Sequence, residues 1–175
     1  MFVAHCLLNQ NAKVEGLAHY AGAVAPVLSQ LADAGIGIVQ LPCPEHEHLG
    51  PLRPVGSDTV EQYDTHQYRE ICSRIAEHAA SKARSYQKAG YRVVCVLGVE
   101  GSPSCSVSRS PHLGGASGPH LVAGMGIFAR ALFDSFKSHG VEAPFLGIPE
   151  SAEAGDFDAA LGELRALLRE EAGHP

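Results

Sequence analysis

The most informative stretch of the chain is YRVVCVLGVEGSPSC, residues 91–105. From Arg92 to Val99 it is almost wholly apolar, which predicts a strand that is covered on both faces. The run follows Gly90 and ends abruptly in a turn of Gly, Ser and Pro residues that carries Cys105. Because ligands of parallel α/β sheets bind beyond the carboxyl ends of the strands, this turn is a candidate site.

Strand and helix patterns alternate on both sides of this stretch. Further short apolar runs predict strands at residues 2–8, 36–41 and 143–150. Apolar residues at helical spacing predict helices at residues 21–35, 59–89, 125–140 and 156–173. Four prolines in residues 42–58 indicate a long loop, and the Ser, Gly and Pro residues of 101–120 indicate a loop or a short hairpin.

This order predicts one α/β domain over residues 1–175. We expect a three-layer sandwich of the Rossmann-like or flavodoxin-like type, with a parallel sheet of four to five strands between two layers of helices. The carboxyl ends of all the strands then lie at the same edge of the sheet.

Composition and charge narrow the classes of partner. The chain has 175 residues and a net charge of −6, and no basic stripe stands out. We therefore expect neither nucleic acid nor a membrane surface as partner. The N-terminal residues 1–16 lack the features of a signal peptide or a membrane span, so a cytoplasmic location is expected. The oligomeric state stays open.

The five cysteines need an explanation other than disulfides, since the cytosol keeps thiols reduced and the number is odd. Cys6 falls in the last part of the first predicted strand, Cys43 two residues after the second, and Cys105 six residues after the third. We expect these three side chains to converge at the functional edge of the sheet. Cys72 and Cys95 fall on a helix face and inside a strand, and we expect both to be small core residues.

One option for three thiolates at one edge is a metal site, and the alternative is three unrelated buried or loop thiols. Cysteine sulfur favours zinc, copper(I) or an iron–sulfur cluster. Three protein ligands leave a position open, which on zinc would hold a catalytic water and on a [4Fe-4S] cube would leave one iron free to take substrate. The spacing alone does not choose between these metals.

Three segments resemble the signature segments of the 2-thiouracil desulfidase-related proteins. They are HCLLN around Cys6, CPE from Cys43, and GSPSC ending at Cys105, and the stretch GPLRPVG at residues 50–56 is also similar. The resemblance covers roughly residues 2–110 in order.

The resemblance implies a [4Fe-4S] cluster on Cys6, Cys43 and Cys105. It implies that the open iron takes the sulfur of a thiolated small molecule, such as thiouracil or a related thioamide, and that water replaces this sulfur at carbon. It further implies that Glu45 acts as the acid/base and that Ser102 donates a hydrogen bond to the substrate. A solvated Glu45, or one paired with Arg53 or Arg109, is the structural alternative.

Two departures leave the substrate open and indicate a divergent member. The segment NQNAKVEG, residues 9–16, lacks the Cys-Arg-Tyr that follows the first ligand in the family, and Ser106 replaces the glycine after the third. The sequence assigns no role to Asn9, Arg53, Arg109 or the Gly-rich residues 112–126.

Three alternatives remain at this point. A zinc site could include His46 or His48, although we expect these to be solvent-facing loop residues. A cysteine-nucleophile enzyme would need a base beside a thiol, and His5 would point away from Cys6 in a strand. The non-enzymatic alternative is an iron–sulfur or zinc-binding sensor or a sulfur carrier.

Overall fold

The computed structural model describes residues 1–50, 52–53, 56–114 and 118–172, with side chains described as far as residue 170. The strands are β1 (Phe2–Ala4), β2 (Val39–Leu41), β3 (Val96–Glu100), β4 (Arg109–His112), β5 (His120–Ala123) and β6 (Phe145–Pro149). The α helices are α1 (His5–Leu8), α2 (Ala25–Asp33), α3 (Pro44–Leu49), α4 (Val60–Tyr63), α5 (His66–Lys88), α6 (Ile127–Ser138) and α7 (Phe157–Ala172). A 3₁₀ turn covers Gln10–Ala12.

Four strands form a parallel sheet in the order β2-β1-β3-β6. Phe2 is in register with Val39 on one side and with Val96 on the other, and Val96 is in register with Phe145. Counting only these four strands, the order is that of flavodoxin-like folds, in which the strand order reverses beside the first strand and creates a crevice there.

Helices cover both faces of this sheet, because successive side chains of a strand point to opposite sides. Val96 packs with α5 and α6 in a cluster that includes Phe2, Tyr68, Phe128, Leu132 and Phe136. Leu97 packs with α2 and α7 in a second cluster that includes Val3, Val27, Leu31 and Leu164. The expected three-layer α/β sandwich is confirmed, with four parallel strands.

The segment after β3 contains the hairpin that the sequence left as an alternative to a loop. Strands β4 and β5 pair antiparallel, with Arg109 opposite Ala123 and His112 opposite His120. Glu61 of α4 holds the hairpin by accepting hydrogen bonds from Leu113 N at 3.1 Å and from His112 at 2.8 Å. Residues 115–117 of the Gly-rich stretch lie outside the described residues.

Several predicted boundaries were wrong. The third strand begins at Val96 and not at Arg92, so Cys95 precedes it. The first strand ends at Ala4, and residues 5–8 form α1. The proline-rich stretch expected to be loop contains α3. The helix expected over 59–89 is two helices, because the Thr65 hydroxyl accepts a hydrogen bond from Tyr68 N and so begins α5 anew after α4. Among the described helices, none combines the length and the apolar character needed to cross a membrane.

Candidate active site

A pocket with a volume of about 190 Å³ lies beyond the carboxyl ends of β1, β2, β3 and β6. Residues that follow each of these four strands line it. The structure therefore places a cavity where parallel α/β sheets bind their ligands. Its lining brings together all the residues that the sequence analysis selected, namely Cys6, Cys43, Glu45, Ser102 and Cys105.

Cys6 reaches this pocket because the chain turns into α1 directly after β1. Gln10 Nε2 donates to the Cys6 carbonyl at 2.8 Å, and Val24 N donates to the Leu7 carbonyl at 2.9 Å. Strand geometry was therefore the wrong reason for separating His5 from Cys6. The His5 ring instead hydrogen-bonds the Gln40 amide at 2.7 Å.

Cys43 is the N-cap of α3. Its Sγ atom accepts a hydrogen bond from His46 N at 3.4 Å, and Pro44 occupies the first helical turn, where its missing N–H costs nothing. His46 and His48 belong to this helix and are half-buried, so the expectation of solvent-facing loop histidines was wrong. The His46 ring stacks on His5, with 6.3 Å between the ring centroids.

The turn that carries Cys105 is held at the N-terminus of α6. Helix N–H groups without a partner in their own helix need acceptors, and this turn supplies three. The carbonyls of Pro103, Ser104 and Ser106 accept from Ile127 N, Ala129 N and Gly126 N at 2.9–3.0 Å. This docking fixes the direction in which the turn presents the Cys105 thiol.

Ser102 stabilises the same turn from inside. Its hydroxyl oxygen accepts hydrogen bonds from Ser104 N at 3.2 Å and from Cys105 N at 3.0 Å. The Cys105 carbonyl in turn accepts from Val99 N at 3.1 Å across Gly98, where a Cβ atom would lie 2.2 Å from that carbonyl oxygen. The apolar strand therefore needs a glycine at this position to let the cysteine turn fold back against it.

Gly126 provides a test of this docking. A Cβ atom there would lie 2.5 Å from the Ser104 carbonyl carbon, so alanine would displace the cysteine turn. We expect Gly126→Ala to lower the free energy of unfolding by about 1–3 kcal/mol, the usual cost of overpacking. Gly162→Ala is the control, because a Cβ atom in that part of α7 meets nothing within 4 Å; it should stabilise by about 0.5–1 kcal/mol. Equal denaturation midpoints for the two variants would contradict the packing argument.

The three pocket thiols share an environment that disfavours the thiolate. Burial raises the pKa of Cys43 to about 11. Burial also raises the pKa of Cys6 and of Cys105 well above the usual range, and the proximity of the other cysteines adds to the increase. The free thiols are therefore protonated at neutral pH, and a metal that binds them must release their protons.

Glu45 is buried beside these thiols. Its carboxylate accepts hydrogen bonds from the Ser104 hydroxyl at 2.5 Å and from Arg53 Nη2 at 3.1 Å. Burial raises the pKa of Glu45, against the opposing effect of these two donors. Glu45 is thus neither solvated nor paired with Arg109, and Arg53 is its partner. The Tyr68 hydroxyl extends the network by a hydrogen bond to Ser104.

The sequence analysis missed a second group of polar residues, of which Lys13 and Glu150 line the same pocket and Gln10 lies behind them. The Glu150 carboxylate is bound by Lys13 Nζ and by Gln10 Nε2. Gln10 also binds the Cys6 carbonyl, so it links this group to the first cysteine. The three residues are separated by up to 140 positions in the sequence, and no local pattern signals their contact.

The arrangement of the possible ligand side chains bears on which kind of metal site they could form. Among the residues that the structure describes, no three His, Cys, Asp or Glu side chains are arranged to hold a single metal ion. The zinc alternative is therefore unsupported. A [4Fe-4S] cluster would instead take each of the three thiolates on a different iron.

The two remaining cysteines lie in the core, as expected. Cys72 and Cys95 are fully buried, one on α5 and one directly before β3. Burial raises the pKa of each thiol to about 12. Neither belongs to the lining of the pocket.

A comparison with solved structures finds a protein described as a [4Fe-4S]-dependent thiouracil desulfidase, TudS (DUF523Vcz). It is 27% identical to this chain, the match covers 83% of this chain and 89% of that one, and the TM-score is 0.49. No protein-family model matches the chain.

A comparison with curated sequences finds the uncharacterized protein MJ0003 of Methanocaldococcus jannaschii. It is 38% identical to this chain over 108 residues, which are 62% of this chain and 67% of that protein. This chain belongs to the same family as MJ0003.

Proposed function

We propose that this protein is a desulfidase that holds a [4Fe-4S] cluster on Cys6, Cys43 and Cys105 and removes sulfur from a thiolated small molecule. One observation carries the proposal: cysteines that follow three different strands line one pocket together with a buried carboxyl group, that of Glu45.

The donor set fits an iron–sulfur cluster. Cysteine thiolates are the ligands that such clusters use, and three of them leave one iron without a protein ligand. When bound, the cluster would supply a Lewis acid for the sulfur of the substrate. Arg53 and Lys13 line the same pocket, each paired with a carboxylate, so neither pair adds net charge beside the three thiolates.

The role of Glu45 in this proposal is to move a proton. Replacement of sulfur by water requires a group that accepts a proton from the water or donates one to the leaving sulfur or ring nitrogen. Glu45 lines the pocket, and burial raises its pKa toward the range in which a carboxyl group can do both. Arg53 and Ser104 fix the position of its two oxygens.

Ser102 is suited to orient the substrate. Its oxygen already accepts two backbone hydrogen bonds, so the hydroxyl hydrogen is the part that remains for a ligand. Among the described residues no protein group accepts it, and the side chain lines the pocket. In this proposal Ser102 donates a hydrogen bond to the substrate.

The test is anaerobic reconstitution with iron and sulfide, followed by incubation with 2-thiouracil and other cyclic thioamides. The proposal expects release of one sulfide for each carbonyl product formed. Protein that holds a full cluster but releases no sulfide from any of these compounds would instead favour a sensor or a sulfur carrier. Turnover without iron would favour a cysteine nucleophile.

The core cysteines provide a separate prediction. We expect Cys72→Ala and Cys95→Ala to keep the iron content and the sulfide release of the parent protein, because neither thiol lines the pocket. Each variant should lose about 1–2 kcal/mol of unfolding free energy through the small cavity it leaves. Iron analysis and chemical denaturation check both statements. Loss of iron from a folded Cys95→Ala protein would show that the ligands are assigned incorrectly.

A further inference from the structure

Lys13 presents hydrogen-bond donors that the protein does not use. Its side chain is 17% exposed and its ammonium group binds Glu150 Oε2. An ammonium group has three N–H donors, and among the described residues no acceptor other than Glu150 contacts it. Because Lys13 lines the pocket, its other two donors are available to a ligand there.

The position of this ammonium group is fixed by buried partners. The Glu150 side chain is 3% exposed, and its second oxygen is bound by Gln10. Gln10 is itself buried, donates to the Cys6 carbonyl at 2.8 Å, and accepts from His19 N at 3.1 Å. Lys13 is therefore held at a set place relative to Cys6, which is one of the proposed cluster ligands.

The net charge of the Lys13–Glu150 pair favours one kind of hydrogen-bond acceptor on a ligand. Glu150 neutralises Lys13, as Glu45 neutralises Arg53 on the other pair in the pocket. A cation that is already paired attracts a phosphate or carboxylate weakly, but it still donates a strong hydrogen bond to a neutral oxygen. The cavity, at about 190 Å³, is smaller than pockets that take drug-sized ligands.

We propose that Lys13 is a substrate-binding residue that donates a hydrogen bond to an uncharged carbonyl oxygen of the substrate, with Glu150 and Gln10 as its positioning residues. The inference rests on the proposed function for the presence of a thiolated substrate. It assigns the residue by which the site would discriminate between thioamides with and without such an oxygen.

The experiment compares two probes that differ in this oxygen. 2-Thiouracil has a ring carbonyl, and pyrimidine-2-thione keeps the thiocarbonyl and the N1–H but lacks this carbonyl and the N3–H. Binding of each to the reconstituted parent protein and to Lys13→Met is measured by titration calorimetry. We expect Lys13→Met to weaken binding of 2-thiouracil about tenfold or more, the loss typical of one charge-assisted hydrogen bond, and to leave pyrimidine-2-thione almost unchanged.

Controls separate binding from folding. Lys13→Arg retains a cationic donor and should retain part of the discrimination. If Lys13→Met is unstable because Glu150 is left buried and unpaired, Lys13→Met/Glu150→Gln removes both charges and should show the same loss. The inference is overturned if Lys13→Met weakens the binding of both probes equally, so that the ratio of their affinities is unchanged. It is also overturned if the parent protein binds neither probe.

Measuring the binding of uracil to protein without a cluster tests the role of Lys13 independently of the proposed function. Uracil has the carbonyl oxygen and no sulfur to remove. If no thiolated compound releases sulfide, yet Lys13→Met weakens uracil binding, the proposed function fails and the binding role of Lys13 stands. If sulfide is released and Lys13→Met binds every ligand as tightly as the parent protein does, the proposed function stands and the binding role of Lys13 fails.

Discussion

Anaerobically reconstituted Cys105→Ser is expected to hold almost no iron and to release sulfide only at the background rate. The parent protein should hold about four irons per chain. Serine keeps the shape of the side chain but replaces the soft sulfur donor, and only two thiolates remain in the pocket. The turn should stay folded, since the carbonyls that bind α6 and the Ser102 hydroxyl do not involve the Cys105 side chain.

Cys72→Ser is the matched control for this substitution. It makes the same chemical change at a buried cysteine outside the pocket lining and should keep its iron. Iron and sulfide analysis, with far-UV circular dichroism as the check of folding, gives the result. A folded Cys105→Ser protein with the iron content of the parent would exclude Cys105 as a ligand.

The second large effect is expected at Glu45. Glu45→Gln preserves the shape of the side chain and removes the group that titrates. It should keep the cluster and lower turnover by roughly a hundredfold or more, the range typical of losing a general acid/base. The comparison is made as kcat at saturating substrate, on protein with matched iron content.

Glu47→Gln is the control for Glu45→Gln. It lies on the same short helix, but its carboxylate is exposed and pairs with Arg74 on the surface, so turnover should not change. Because Glu45→Gln leaves Arg53 buried without its charge partner, some stability will be lost. The double variant Glu45→Gln/Arg53→Gln removes both charges, and it should be equally slow. Turnover at the parent rate in a Glu45→Gln protein with full iron would remove Glu45 from the mechanism.

Much of the architecture was predictable because it follows from periodicity. The apolar run before Val99 and the helical spacing of Tyr68, Cys72 and Ile75 on α5 both appear in the sequence as patterns of burial. The arrangement of strands in a parallel sheet then determines which segments meet at one edge. This is why three cysteines far apart in sequence could be expected to line one pocket.

The boundaries that failed depend on tertiary contacts or on unusual caps. Residues 5–8 are apolar enough for a strand, but bonds from Gln10 and Val24 hold them in a helical turn. Cys43 caps α3, and cysteine is not among the residues that signal a helix start. A short apolar run and a proline-rich stretch therefore carry no local signal of either helix.

The polar partners in the pocket could not be predicted for a related reason. Arg53 lies eight positions after Glu45, beyond the end of α3, and Lys13 and Glu150 come from opposite ends of the chain. Their contacts are set by how the loops after β1 and β6 pack. Ser104 lies in the SPSC segment that the sequence analysis selected, but only the fold shows that its hydroxyl group binds Glu45.

The central claim is that a four-iron cluster is held by three cysteines, so that one iron differs from the other three. Mössbauer spectroscopy of protein reconstituted with ⁵⁷Fe measures this directly, before and after addition of 2-thiouracil. We expect about a quarter of the iron signal to shift on addition of the ligand and about three quarters to stay unchanged, since a [4Fe-4S] cube has four irons. A spectrum in which all four irons remain equivalent and unaffected by the ligand, or one typical of a single mononuclear iron, would contradict the claim.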